Sequence, residues 1–216
     1  MVYDLCEQPG IHQLFLSRLR DRNLQSDRAG FRKNVERLGQ ILAYEISRKL
    51  PHREISTETP LGTAIARIPA TDPLLCCILR AGLPFYQGFQ DFFPDSPSGF
   101  IGAFRGEIRV DNSFDIELGY HALPGSEDKP LILIDPMLAT GKSMLLAGRV
   151  VLEKLKPSRI IFASLIASPE GIALLQREMP EADVWTIATD QGLNDHSYII
   201  PGLGDAGDLS FGPKIS

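Results

Sequence analysis

Apolar residues recur in this chain at two different spacings, and each spacing predicts an element. Ile11, Leu14, Phe15 and Leu19 lie three or four residues apart, as do Phe31, Val35, Leu38, Leu42 and Ile46, with Pro51 as the stop. That period puts them on one face of a helix, so residues 1–50 are predicted to hold a helical pair. Leu74–Leu79 and residues 131–134 are instead unbroken apolar runs, too short for a helix and suited to strands buried on both faces. Arg159–Ala167 and residues 184–188 read the same way. Between these runs come a turn and helix from Gly82, a strand over 100–104, an alternating segment (Phe114, Ile116, Leu118, Tyr120) and a helical pattern over 141–155. Ser168 followed by Pro169 has the form of an N-cap and first helical residue, for a helix reaching about Glu178. Strands alternating with helices predict an α/β fold: a parallel twisted sheet flanked by helices.

Two segments do not fit that alternation. Residues 55–68 mix β-forming residues around Thr59-Pro60-Leu61-Gly62, which suggests a hairpin arm at a sheet edge, where a proline is tolerated. Residues 190–216 are rich in Gly, Asp and Pro yet keep Tyr198, Ile199, Ile200 and Phe211, the composition of a folded lid rather than a tail. No repeat or linker divides the chain, so residues 1–216 read as one domain.

Composition narrows the class. The 216 residues carry 22 Lys and Arg against 27 Asp and Glu, a formal charge of −5, with 44% hydrophobic residues. These values exclude a disordered or fibrous chain, and the acidic balance argues against binding nucleic acid through phosphate neutralisation. No apolar stretch approaches the roughly 18 residues of a membrane span, and the N-terminus lacks the basic and apolar regions of a secretory signal. Cys6, Cys76 and Cys77 cannot make a disulfide framework; reduced thiols in a cytoplasmic protein are the expectation.

In an open parallel sheet, ligands bind beyond the carboxyl ends of the strands. Three such ends carry chemistry here. Arg80 closes the run Ile78-Leu79, and Arg105 closes Gly102-Ala103-Phe104; two guanidinium groups at neighbouring strand ends would fork a diphosphate, although each could simply reach out to water. The third is Asp135-Pro136-Met137-Leu138-Ala139-Thr140-Gly141-Lys142-Ser143. Its small residues let backbone N–H groups approach a phosphate at a helix N-terminus, Thr140 and Ser143 add hydroxyls, and Asp135 can accept from sugar hydroxyls. Gly141-Lys142-Ser143 is not a nucleoside-triphosphate P-loop, because that motif needs glycine where Pro136 stands. An ordinary strand-to-helix loop is the plainer alternative.

The segment from Asp135 to Ser143 resembles the 5-phosphoribosyl 1-diphosphate (PRPP) loop of uracil phosphoribosyltransferases. Ile78-Leu79-Arg80-Ala81-Gly82-Leu83 and the long motif from Tyr198 through Ile199-Ile200-Pro201-Gly202-Leu203-Gly204-Asp205-Ala206-Gly207 to Asp208 look like that family too, in the same order. So do Thr59-Pro60-Leu61-Gly62, Ser168-Pro169-Glu170-Gly171 and Asp190-Gln191-Gly192-Leu193-Asn194. The likeness covers most of the chain and is strongest over 131–212. A single acid followed by proline matches the uracil branch, where related transferases usually carry two adjacent acids. Departures are Lys142, where the family has glycine, Gly106-Glu107-Ile108-Arg109 in place of a polar Glu-Glu-Thr run, and Leu209-Ser210 before Phe211-Gly212.

The resemblance implies a type I phosphoribosyltransferase-like fold with a β-arm and a C-terminal hood, and a reaction in which uracil and PRPP give UMP and diphosphate. It implies that Asp135, Pro136, Met137, Leu138, Ala139, Thr140, Gly141, Lys142 and Ser143 hold the ribose 5-phosphate and its hydroxyls. Arg80 and Arg105 would contact the diphosphate, with Asp205 close to PRPP. Ile199, Gly204, Asp205 and Ala206 would frame uracil, largely through the backbone. Asp135 and Asp205 are the candidate catalytic residues, Asp205 as acceptor of the uracil N1 proton. Mg2+ enters bound mainly through PRPP, with no protein ligand assigned. A homodimer or higher homo-oligomer follows, with the arm at Thr59 and Pro60 or residues 114–120 as contacts, and GTP as a candidate effector. Two alternatives remain: an inactive PRPP- or nucleotide-binding regulator on the same fold, and a transferase for another base, which should alter residues 199–206. His12, His52, His121 and His196 read as surface or structural residues and Trp185 as core.

Overall fold

The unbroken aliphatic runs form the centre of a sheet, since a strand with no polar face must be covered on both sides. The computed structural model describes residues 1–105, 116–125 and 128–214, and the side chains of all of these except 103–105 and 116–118. The chain opens with β1 (Val2–Asp4), α1 (Ile11–Arg20) and α2 (Arg28–Ser47). Next come β2 (His52–Thr59), β3 (Gly62–Pro69), β4 (Leu74–Leu79), α3 (Leu83–Phe92), β5 (Ser98–Arg105) and β6 (Ile116–Ala122). The second half supplies β7 (Pro130–Ile134), β8 (Met137–Leu138), α4 (Lys142–Lys154), β9 (Arg159–Ala167), α5 (Pro169–Glu178) and β10 (Asp183–Thr189). It closes with β11 (Gly192–Leu193), β12 (Ile199–Ile200) and α6 (Ala206–Phe211).

The main sheet runs β1-β10-β9-β7-β4-β5-β6, with β8 beside β9. Alternation along each strand sorts its side chains between two cores. Leu75, Cys77, Ile132, Ile134 and Ile161 face α2 and α3 residues such as Leu38, Leu42, Phe85 and Phe89. Leu74, Cys76, Leu131, Leu133 and Phe162 face Met144, Val151, Ile172 and Leu175 on α4 and α5. Adjacent Cys76 and Cys77 therefore point to opposite faces as free thiols, and burial pushes Cys76 up to about 12 and Cys77 further still. Trp185 is core, stacked on Tyr3 at 4.0 Å between ring centroids.

Two expectations are corrected, and one element was missed. The sheet is mixed, because β6 runs antiparallel to β5; the stretch between them is too short for the helical crossover that a parallel pair needs. The arm is not an edge of the main sheet. β2 and β3 pair only with each other, from His52↔Pro69 to Thr59↔Gly62, extending the expected 55–68 at both ends. Finally, β1 was not legible in the periodicity: three residues give no pattern, and the strand exists through its register with β10, Val2↔Val184 to Asp4↔Thr186. Ser168 does cap α5, its hydroxyl accepting from Gly171 N–H with Pro169 in the first turn.

Candidate active site

The connection from β7 to α4 is fastened by its backbone. Asp135 N–H donates to Ala163 O at 3.1 Å, while Leu165 N–H and Ile166 N–H both donate to Pro136 O at 3.0 and 3.2 Å. Ser168 N–H donates to Leu138 O at 2.9 Å and its hydroxyl to Ala139 O at 2.7 Å, so the cap of α5 also clamps this loop. The two segments lie so near that a Cβ on Gly171 would stand 2.3 Å from Ala139 O. Gly141 precedes α4 and brings no side-chain oxygen to its first turn, which leaves those N–H groups to an anion.

Asp135 sits deep in the same loop, accepting from Met137 N–H at 3.2 Å. Burial pushes its carboxyl up to about 7, against the lowering effect of that hydrogen bond. Hydroxyl groups donating to it would favour the charged form.

Opposite the loop, residues 190–212 make a hood. β11 and β12 pair antiparallel, Gly192↔Ile200 and Leu193↔Ile199. Asn194 Oδ1 accepts from the N–H groups of His196 and Tyr198 at 3.0 and 2.9 Å, closing the intervening turn. Ile199, Leu203 and Ala206 sink into the core while Gly204 and Asp205 stay exposed. Gly202 allows the reversal between them: its φ is +61°, and a Cβ there would lie 2.1 Å from Ile199 O. Asp205 caps α6, Oδ1 accepting from Asp208 N–H at 2.9 Å.

Arg80, just past β4, is partly exposed but tied to the hood. Nη2 donates to Asp208 Oδ1 at 2.7 Å and Gly212 O at 2.9 Å, and Nε is buried with no hydrogen-bond partner among the described residues. The arginine joins the strand end to the hood, and one of its donors remains to be satisfied.

Loop, strand end and hood enclose a cleft of about 330 Å³. The cleft brings together Arg80, Asp135, Met137, Leu138, Ala139, Thr140, Gly141, Ser143, Ile199, Gly204, Asp205 and Ala206 of the sequence-predicted residues. Pro136 and Lys142 do not line it: Pro136 is buried with its carbonyl committed to β9, and Lys142 is exposed on the first turn of α4. Arg105 ends β5, which lies beside β4, but its side chain falls outside the described residues. None of the four histidines lines the cleft.

Sequence reasoning missed Lys214, which with Arg80 supplies the cations among the described lining residues. Nothing in Gly212-Pro213-Lys214 sets it apart; only the hydrogen bond from Arg80 to Gly212 O shows why the end of the chain returns to the cleft. Ser197, which sequence reasoning also missed, and Tyr198, read only as the start of a motif, line it too. Carboxylates enter from two sides, Asp135 from the loop and Asp205 from the hood. No cluster of three His, Cys, Asp or Glu side chains suited to a metal ion occurs among the described residues. No helix among them is long and apolar enough to cross a membrane.

A family model described as Uracil phosphoribosyltransferase matches residues 7–213. The Uracil phosphoribosyltransferase of Porphyromonas gingivalis is 44% identical over 202 residues, covering 93% of each chain. That of Pyrobaculum islandicum is 41% identical over 202 residues, covering 92% of this chain and 94% of its own. Among solved structures, the AQ2163 protein from Aquifex aeolicus superposes over the whole of both chains with a TM-score of 0.88 at 28% identity.

Proposed function

The chain belongs to the uracil phosphoribosyltransferase family and is a phosphoribosyltransferase; on that premise we propose how its cleft converts uracil and PRPP to UMP and diphosphate. The observation that carries this reading is the meeting, in one cleft, of an uncapped helix N-terminus with a hood whose backbone is open at Gly204 and Asp205. The N–H groups at the start of α4, with the hydroxyls of Thr140 and Ser143, hold the 5-phosphate. Asp135 accepts from the ribose hydroxyls. Arg80, whose Nε has no partner among the described residues, contacts the diphosphate, with Arg105 at the end of the neighbouring strand as the second expected contact. Lys214 adds a further cation to the cleft.

As the bond from the anomeric carbon to the diphosphate oxygen lengthens, positive charge grows on the sugar and negative charge on the leaving group. The residues that hold both halves stabilise this separation and keep water out of the line of attack. Uracil, held at Ile199 and Gly204 to Ala206 by main-chain groups, meets the anomeric carbon through N1. The N1 proton passes to Asp205, the carboxylate on the base side. Asp135 and Asp205 stand on different walls without a third ligand among the described residues, which fits a Mg2+ carried by oxygens of PRPP itself. Bound there, Mg2+ supplies charge neutralisation for the departing diphosphate.

Outside the cleft, the arm is exposed along nearly its whole length, with Leu61 bare at its tip and Ile65 uncovered. A lone two-stranded ribbon is marginal in water, so contact with a second copy in a cytoplasmic homo-oligomer is the reading we adopt. Turnover with PRPP, Mg2+ and, separately, uracil, cytosine, hypoxanthine and orotate tests the reaction. UMP formation from uracil alone is expected; preference for another base, or no turnover, overturns it.

A further inference from the structure

We propose that Arg20, Gln25 and Asp190 form a buttress that positions the uracil-binding hood, and so govern affinity for the base rather than for PRPP. The inference rests on the functional reading above. Asp190 follows β10 directly, and its side chain is only 5% exposed. Arg20, the last residue of α1, meets it with both arms of the guanidinium fork: Nη2 to Oδ1 at 2.7 Å and Nη1 to Oδ2 at 3.1 Å. Oδ2 also accepts from Gly202 N–H at 2.9 Å, so the ion pair ends on the hood's main chain. Gln25, between α1 and α2, donates through Nε2 to Leu19 O and to Leu203 O, each at 2.8 Å. Gly202 and Leu203, which lie between the proposed base contacts at Ile199 and at Gly204 to Ala206, thus hang from the N-terminal helices.

Neither Arg20, Gln25 nor Asp190 lines the cleft, so they act through the backbone they hold. Recognition of a planar base by main-chain groups depends steeply on donor direction and distance, which makes the setting of that backbone decisive. Removing the guanidinium strands a buried carboxylate that must admit water or turn away, and Gly202 N–H moves with it. The loop at 135–143 has separate anchors on β9 and at Ser168, so the phosphate wall is untouched.

Steady-state kinetics on the full chain, varying uracil and PRPP in turn, provides the test. Arg20→Ala should raise KM for uracil about 10-fold or more while KM for PRPP stays within about 2-fold, as expected for misplacement of one substrate only. Arg20→Lys, which keeps the charge and loses the fork, should fall between wild type and Arg20→Ala. Gln25→Ala should raise KM for uracil by roughly 3- to 10-fold, in line with the loss of its one neutral hydrogen bond to the hood. If Arg20→Ala does not fold, the other two variants decide. Wild-type turnover accompanied by both KM values rising together, or neither moving, would mean a structural role only and would overturn the inference alone. A wild type that leaves uracil unconverted overturns the functional reading and the inference with it.

Discussion

The two walls of the cleft are built by different means. The loop at 135–143 is held by main-chain bonds to β9 and by the Ser168 cap, partners near in sequence; Ala139 and Ser168 are 29 positions apart. The hood is held by long side chains from distant segments. Arg20 reaches Asp190 across 170 positions, Gln25 reaches Leu203 and Arg32 reaches Ser210 across 178 each, and Arg80 reaches Asp208 across 128. A wall made by the strand-loop-helix geometry rests mainly on main-chain bonds, with the Ser168 hydroxyl as a side-chain clamp. A wall hung on ion pairs and one amide changes with each of them. Affinity for the base can therefore be tuned while the phosphate wall stays as it is.

The sharpest way to separate the walls is to fill one of them. Ala206, at the start of α6, is buried and lines the cleft. Ala206→Phe should reduce uracil turnover on the order of 10³-fold or more, the scale at which an incompatible occupant is rejected by a hydrogen-bonding site. PRPP should still bind by calorimetry. Retained turnover would move the base pocket elsewhere.

Asp135 tests the other wall and separates activity from stability. Asp135→Asn removes the charged acceptor proposed for the ribose hydroxyls, which should cost about 1.5–3 kcal/mol, roughly a 10- to 150-fold loss in kcat/KM for PRPP. Stability should move the opposite way. The unfolded carboxyl titrates near 3.9, and the folded one at about 7. Between these values the folded chain holds a proton that the unfolded chain has released. Stability is thus complete below about pH 4 and is lost as pH rises through 7. Asparagine escapes this loss. Thermal unfolding of the ligand-free variant should show it more stable than the parent at pH 8, by no more than about 4 kcal/mol at 1.4 kcal/mol per pH unit, with the gap closing at pH 4. Equal stability at pH 8 would remove the case for a burial-raised Asp135.

What the sequence discloses follows the same division. Central strands, the α1–α2 pair, the Ser168 cap and the loop after Ile134 were legible because each is written in contiguous residues with a period, a cap or a run. β1, the antiparallel turn-back of β6 and the isolation of the arm were not, since strand partners are chosen in three dimensions. In the site, Asp135, Thr140 and Ser143 could be picked out by their neighbours; the hood showed in its composition as a folded lid, and its base contacts only through a resemblance. Arg20, Gln25 and Lys214 carried no local mark: an arginine ending an amphipathic helix is ordinary until Asp190 is seen beside it.

Arg80 belongs to both walls, and this makes it a bridge between the two behaviours. It lines the cleft, its Nε is buried without a partner among the described residues, and its Nη2 holds Asp208 and Gly212 O. Arg80→Ala should therefore raise KM for both PRPP and uracil, each by roughly 10-fold, the value of one charge-assisted hydrogen bond of about 1.5 kcal/mol. Asp208→Asn, which weakens only the tie to the hood, should raise KM for uracil and leave PRPP nearly unchanged. A loss confined to PRPP in Arg80→Ala would show that the bonds to α6 have no part in base binding.

The smallest effect is expected where the chain departs from its family. Lys142 is exposed at the first turn of α4 and does not line the cleft. A cation at a helix N-terminus opposes the macrodipole by about 0.3–1 kcal/mol, while glycine in a helix costs about 1 kcal/mol relative to alanine. Stability in Lys142→Gly should hence change little. In the proposed reading the 5-phosphate is held by N–H groups that the substitution keeps, so the side chain would act only as a screened charge near the anion. Loss of kcat/KM for PRPP should stay within about 5-fold, equal to roughly 1 kcal/mol. The loss should shrink further at 0.5 M salt, where the Debye length falls to about 4 Å. A loss beyond about 100-fold, near 2.7 kcal/mol, or one indifferent to salt, would place the ammonium group on the phosphate itself and make a side chain, not the backbone alone, part of that wall.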